Sequence, residues 1–162
     1  MRHKQLKSIN DMINYFKTID THSNNGDKRD NGLESLRKFI KNNRRDFYYL
    51  DSGKFYDVWC TMKLSEPYVI KVVKEVWASM KYRNYNQRFP RKNTKIAKHF
   101  LYPVWHSSCH SIIVQPKANT EIQAVNDAED FFCEENMIYS DLHEGNVGMF
   151  EGRPVIIDYL HE

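Results

Sequence analysis

Leu6, Ile9, Ile13 and Phe16 recur at steps of three and four, which predicts an amphipathic helix over residues 5–20. Residues 21–32, THSNNGDKRDNG, have the composition of a loop. Leu33, Leu36, Phe39 and Ile40 predict a second, short helix that runs into the basic stretch 41–45. The texture then changes. Residues 47–50, 55–61 and 68–73 are rich in aromatic and β-branched side chains, separated by Asp51-Ser52-Gly53 and Ser65-Glu66-Pro67. They predict a three-stranded antiparallel meander.

Residues 75–98 are polar and basic and predict one helix interrupted at Pro90. Residues 101–105 and 112–115 read as two more strands, joined by residues 116–119 to a helix over 121–136. Ile122, Val125, Ala128 and Phe132 are expected on that helix's buried face. A loop over 139–146, a strand, a turn at Glu151-Gly152 and a strand over 154–157 close the pattern. The fold class is α+β, with sheet and helices segregated.

Composition narrows the picture. At 162 residues, with 41% hydrophobic and 28% charged side chains, the chain suits one packed domain and excludes collagen-like or largely disordered sequences. No apolar run is long enough to span a membrane, and the first dozen residues lack a signal peptide's apolar stretch, so a cytoplasmic location without membrane contact is expected. Cys60, Cys109 and Cys133 are odd in number and widely spaced, which predicts free thiols in a reducing compartment.

The net charge of +3 conceals a division: residues 1–75 carry +5, residues 76–120 carry +8 with no acidic group, and residues 121–162 carry −10. The basic middle can face an anion and the acidic end a cation, or the two can attract each other. Lys81, Arg83, Arg88, Arg91, Lys92, Lys95 and Lys98, interleaved with Tyr82, Tyr85 and Phe89, also suit nucleic acid or an acidic protein. A solvated helix with its aromatic side chains against a sheet explains the same residues.

The candidate chemistry lies in residues 138–159, IYSDLHEGNVGMFEGRPVIIDY. Asp141 is followed five positions later by Asn146, and Asp158 ends an apolar β-run, with a hairpin between them. Oxygen donors of this kind can hold a hard cation. The string Asp141-Leu142-His143-Glu144-Gly145-Asn146 resembles the catalytic loop of the protein-kinase-like superfamily, in the form used by its aminoglycoside phosphotransferase and small-molecule kinase branch. Residues 155–159, VIIDY, resemble that branch's metal-binding strand end. A second block, residues 49–59, resembles the phosphate-covering loop, with Gly53 as its middle glycine and Val58 as the valine after the turn. Lys71, thirteen residues beyond Val58 in YVIKV, resembles the lysine that pairs with the α- and β-phosphates.

The resemblance spans residues 47–159. It implies a minimal kinase-like fold with a helical extension over residues 1–45, a five-stranded antiparallel N-lobe over 46–120 and a reduced C-lobe of helix, catalytic loop and hairpin over 121–162. It implies ATP and Mg²⁺ as cofactors, with Asp141 as base or hydroxyl orienter and His143 at a phosphate or the acceptor. Lys71 and Gly53 would sit at the phosphates and Val58 at the nucleotide, with Asn146 and Asp158 on the metal.

There are departures. Asp51 and Tyr56 stand where the loop pattern has glycines, no acidic residue lies between Glu75 and Glu121 to pair with Lys71, and Tyr139-Ser140 precedes Asp141. Only four residues follow Asp158, so no peptide-binding helical platform is expected, and a protein partner or self-association would complete the reduced lobe. Two functions stay open: a phosphotransferase acting on a protein or small-molecule hydroxyl, and a pseudokinase that binds and regulates a partner. The compact form also resembles small kinase-like proteins of bacteriophages, which implies a host cytoplasm.

Overall fold

The computed structural model describes residues 8–19, 26–53, 56–74, 97–107, 110–135 and 145–158. These form an α+β protein with three α-helices, a five-stranded antiparallel sheet and a two-stranded hairpin. The chain divides into two compact units, one within Met1–Arg83 and Pro103–Pro116, the other within Asn84–Tyr102 and Lys117–Glu162.

The first unit begins with α1, Ile9–Lys17, which starts where Ser8 Oγ accepts a hydrogen bond from the Asp11 amide at 3.1 Å. That cap sets the start at Ile9, inside the predicted span of 5–20. Helix α2, Gly26–Asn42, corrects a second expectation, because residues 26–32 are helical although their composition reads as a loop. The buried stripe Leu33, Leu36 and Ile40 anchors the helix. Once a turn is fixed, each further residue adds a hydrogen bond, so the helix propagates back through weak formers.

Strands β1 (Phe47–Ser52), β2 (Tyr56–Thr61), β3 (Tyr68–Val73), β4 (Trp105–His106) and β5 (Ile112–Pro116) pair in the order β1-β2-β3-β5-β4. The β1–β2–β3 meander is as predicted. Cross-strand partners share a face, so the registers put Phe47, Trp59, Ile70, Val114 and Trp105 on one side with Val72 and Ile112. The two helices cover this side: Phe16 packs on Trp105 and Phe39 on Phe47, and Met12, Leu33, Leu36 and Ile40 join the strands in one core.

Strand β4 is shorter and later than the predicted 101–105. Leu101 instead donates to the Ile156 carbonyl oxygen at 2.9 Å, and Phe100 bridges Ile156 in parallel, so this stretch belongs to the second unit. Residues 75–96, where a broken helix is predicted, lie outside the described residues; Ala97–His99 form a 3-10 turn.

In the second unit α3, Ile122–Glu134, packs on the hairpin of β6 (Val147–Phe150) and β7 (Arg153–Ile156). Val125, Ala128 and Phe132 are buried as expected, with Phe100, Val147 and Ile156. Ile122 is not: it is 81% exposed, and Ala124 takes the inward place. At 100° per residue Ile122 stands roughly 100° from the centre of the buried stripe, outside its width. The hairpin turns at Glu151 (φ 50°) and Gly152 (φ 73°), two positive values that a two-residue turn of this kind requires. Gly148 is needed for a different reason. A Cβ there would lie 2.6 Å from the Asn119 carbonyl oxygen, where Asn119 and Met149 exchange backbone hydrogen bonds.

Cys60 and Cys133 are free thiols, and Cys109 lies outside the described residues. Among the described residues no helix is long and apolar enough to cross a membrane.

Candidate functional site

In the first unit one cross-strand row runs through all five strands of the sheet: Asp51, Val58, Lys71, Ile113 and His106. It lies on the side opposite Trp59, Ile70 and Trp105, and so opposite the helices. The strands β2 and β5 that flank Lys71 hold it in the middle of the sheet, and it is buried, at 9% exposure. A charged side chain at that depth is costly unless it is paired or serves a ligand; Lys71 is not without interactions within the protein. The next row on the same side is Tyr48, Cys60, Val69 and Gln115, of which Cys60 and Gln115 are buried. One sheet face thus combines a cation, an amide and branched apolar side chains.

The end of β1 forms one end of this row. A register shift between Tyr49 and Asp51 marks a bulge at Leu50, which increases the local twist. Asp51 Oδ1 accepts from the Ser52 amide at 2.6 Å, so the acidic residue standing in place of a glycine closes on its own backbone. Gly53 is exposed and has no positive φ, and among the described residues an added Cβ would first meet the Tyr56 carbonyl oxygen at 3.8 Å. Its smallness answers no packing need among the described residues.

In the second unit the β6–β7 hairpin brings the backbones of Asn146 and Asp158 together. The Asn146 carbonyl oxygen accepts from the Ile157 amide at 2.8 Å and from the Asp158 amide at 3.5 Å, continuing the ladder one step past the Val147–Ile156 pair. Asn146 is buried, at 8% exposure, and both residues have interactions within the protein. An amide oxygen and a carboxylate at adjacent strand ends are donors that fit Mg²⁺. Asp141 and His143 lie outside the described residues. Among the described residues no three His, Cys, Asp or Glu side chains cluster as a metal site.

Three features escape sequence reading. Arg37 of α2 reaches Asp57 and the Val73 carbonyl oxygen; the available signal is its place on the border of the Leu33–Leu36–Ile40 stripe. His106 and His110 stack with ring centroids 4.3 Å apart, and His110 adopts φ 55° while its carbonyl accepts from Tyr56 Oη at 3.0 Å. Burial, and then the neighbouring His106, hold His110 below the ordinary histidine pKa. The third is His99, buried between Phe131 and Phe132 in the second unit, whose pKa is lowered by burial first and by Lys98 next. Of the basic segment 81–98 only Ala97 and Lys98 are described, and Lys98 is exposed.

No known family model matches the chain, and no curated protein matches it either.

Proposed function

We propose that this protein is a kinase-like phosphotransferase that moves the γ-phosphoryl group of ATP to a hydroxyl acceptor. The observation that carries the reading is the register of the first sheet, in which Lys71 is buried on the third of its strands with Val58 and Ile113 directly beside it. A lysine between branched apolar neighbours offers a charge to phosphates beside a surface suited to a flat base. The backbone adjacency of Asn146 and Asp158 supports it, because an amide oxygen and a carboxylate are donor types that fit Mg²⁺ and would hold it. Bound there, the metal supplies neutralisation of the charge on the triphosphate.

The protein's own groups carry the remaining work. Lys71 pairs with the α- and β-phosphates, and the backbone at Gly53 covers them. Asp141 orients the acceptor hydroxyl and takes its proton as the acceptor oxygen bonds to the γ-phosphorus and the bond to the β,γ-bridging oxygen breaks, releasing ADP. His143 contacts a phosphate or the acceptor. A protein partner or a second copy takes part on the acceptor side. The reaction takes place in the cytoplasm, that of a host if the chain is phage-encoded.

A pseudokinase reading draws on Asp51, whose carboxylate occupies the same row as Lys71 and is unfavourable near phosphates. One experiment separates the two. Thermal stability is measured with ATP, with and without Mg²⁺, followed by transfer assays of Asp141→Ala and Asp158→Ala. Stabilisation of about 2.7 kcal/mol at a hundredfold excess over Kd is expected for a binding protein. The phosphotransferase requires in addition that Asp141→Ala abolishes transfer with nucleotide affinity nearly unchanged. Binding without transfer supports the pseudokinase, and wild-type transfer by both variants overturns the assignment.

A further inference from the structure

We infer that Arg37 is a positioning residue for the nucleotide: from behind the sheet it ties the paired strand ends at Ser52 and Asp57, beside Gly53, to the end of the Lys71 strand. The inference rests on the phosphotransferase reading and goes beyond it, since that reading assigns α2 no part.

The side chain of Arg37 is only 14% exposed, and that of Asp57 23%. Arg37 Nε lies 3.7 Å from Asp57 Oδ2, and Arg37 Nη2 donates to the Val73 carbonyl oxygen. Asp57 Oδ1 in turn accepts from Ser52 Oγ at 3.2 Å, across the ladder pair Ser52–Asp57. Ser52 immediately precedes Gly53, and Val73 ends β3 two residues after Lys71. The Val73 amide is held by the Ser111 carbonyl oxygen at 2.9 Å, so that strand end is fixed on both sides. One guanidinium therefore spans from a helix to the two chain segments that the proposed reaction places on the phosphates.

Asp57 lies on the helix-covered side of β2, while its neighbour Val58 lies on the Lys71 side. Arg37 thus acts through backbone position and touches no nucleotide. The arrangement needs a planar cation with separated donors. A lysine ammonium can serve the carboxylate or the carbonyl but is a single point of charge. The apolar anchoring of α2 through Leu33, Leu36 and Ile40 is separate from this network, so its removal leaves the helix its core.

The test compares ATP·Mg²⁺ affinity and steady-state rates of the wild type with Arg37→Met, Arg37→Lys, Asp57→Asn and a control, Lys38→Met, whose side chain is exposed and pairs with Glu34. Arg37→Met is expected to raise KM and Kd for ATP at least fivefold with kcat within twofold, Arg37→Lys to recover part of that loss, and Lys38→Met to match the wild type. The double variant Arg37→Met/Asp57→Asn is expected to bind ATP no worse than Arg37→Met, because the two groups act as one unit. Should Arg37→Met fail to fold, Asp57→Asn and Arg37→Lys carry the same KM test. Unchanged KM in variants of a wild type that binds ATP overturns this inference and leaves the phosphotransferase standing. A wild type that binds no ATP overturns both.

Discussion

Val58 on β2 and Lys71 on β3 are direct cross-strand partners on the sheet face away from the helices, with Ile113 on Lys71's other flank. Because side chains alternate along a strand, this adjacency depends on register, and a slip of one residue would turn Lys71 into the core formed with α1 and α2. Ile70 and Val72, fully buried on that other side, hold the register.

Replacing Lys71 by methionine keeps an unbranched stem of similar length and removes the charge. ATP affinity is expected to fall at least tenfold, about 1.4 kcal/mol, while the far-ultraviolet circular dichroism stays that of the wild type. Isothermal titration with ATP·Mg²⁺ checks this. Full affinity in Lys71→Met would separate the lysine from nucleotide binding.

Two glycines make opposite predictions. In Gly148→Ala the new methyl would lie 2.6 Å from the Asn119 carbonyl oxygen, so the Asn119–Met149 bridge must open. A loss of about 1–3 kcal/mol is expected in urea unfolding, the usual range for overpacking. Among the described residues Gly53→Ala meets nothing closer than 3.8 Å, and it is expected to change stability by less than about 0.5 kcal/mol. Its effect should appear in nucleotide affinity instead, because the methyl occupies the space a phosphate would approach.

The glycines also show what the sequence makes legible. Gly152 between two apolar runs names its turn, because glycine accepts the positive φ found there without steric cost. Three strands rich in Val, Ile, Tyr and Phe, divided by turn residues, likewise announce the meander. The N-terminal half of α2 is illegible because its helicity comes from packing further along, at Leu33, Leu36 and Ile40, rather than from its own composition. The short β4 is missed for a related reason: Leu101 is apolar and extended, but its hydrogen bond goes to Ile156, a partner 55 residues away that no local pattern reveals. Asn146 and Asp158 are readable as chemistry, and their adjacency follows from the hairpin between them. Arg37 is not readable, since a basic residue at the edge of an apolar stripe is ordinary until Asp57 and Val73 are seen opposite it.

Acid is expected to destabilise the protein through two histidines. Burial lowers the pKa of His99, Lys98 and Arg153 lower it further, and Glu135 opposes them; burial and then His106 lower that of His110. In each case the folded state resists a proton that the unfolded chain accepts near pH 6.5. Stability is therefore complete above that pH and falls as pH drops through it toward the folded value. Urea unfolding at pH 7.5 and 5.5 measures the fall. His99→Phe, which places a third apolar ring beside Phe131 and Phe132, is expected to reduce the pH dependence. So is His110→Asn, which tolerates the positive φ at that turn. An unchanged pH dependence in both variants would assign the acid sensitivity to other groups.

The Asn146–Asp158 pair carries the most demanding prediction, because it separates metal binding from folding. The backbone bonds between the two strand ends involve the Asn146 carbonyl and the amides of residues 157 and 158, so side-chain replacement leaves them in place. Asp158→Asn keeps the shape and replaces a carboxylate oxygen by an amide, a weaker ligand for a hard cation. The variant is expected to unfold in urea within about 1 kcal/mol of the wild type, the size of one ordinary hydrogen bond. The additional thermal stabilisation that Mg²⁺ gives to the ATP-bound protein is expected to disappear. Asn146→Asp, which adds a charge to a buried amide position, is expected to strengthen binding of the cation while costing stability in its absence. If Mg²⁺ stabilises all three proteins equally in the presence of ATP, the metal is held elsewhere and these two residues serve the hairpin alone.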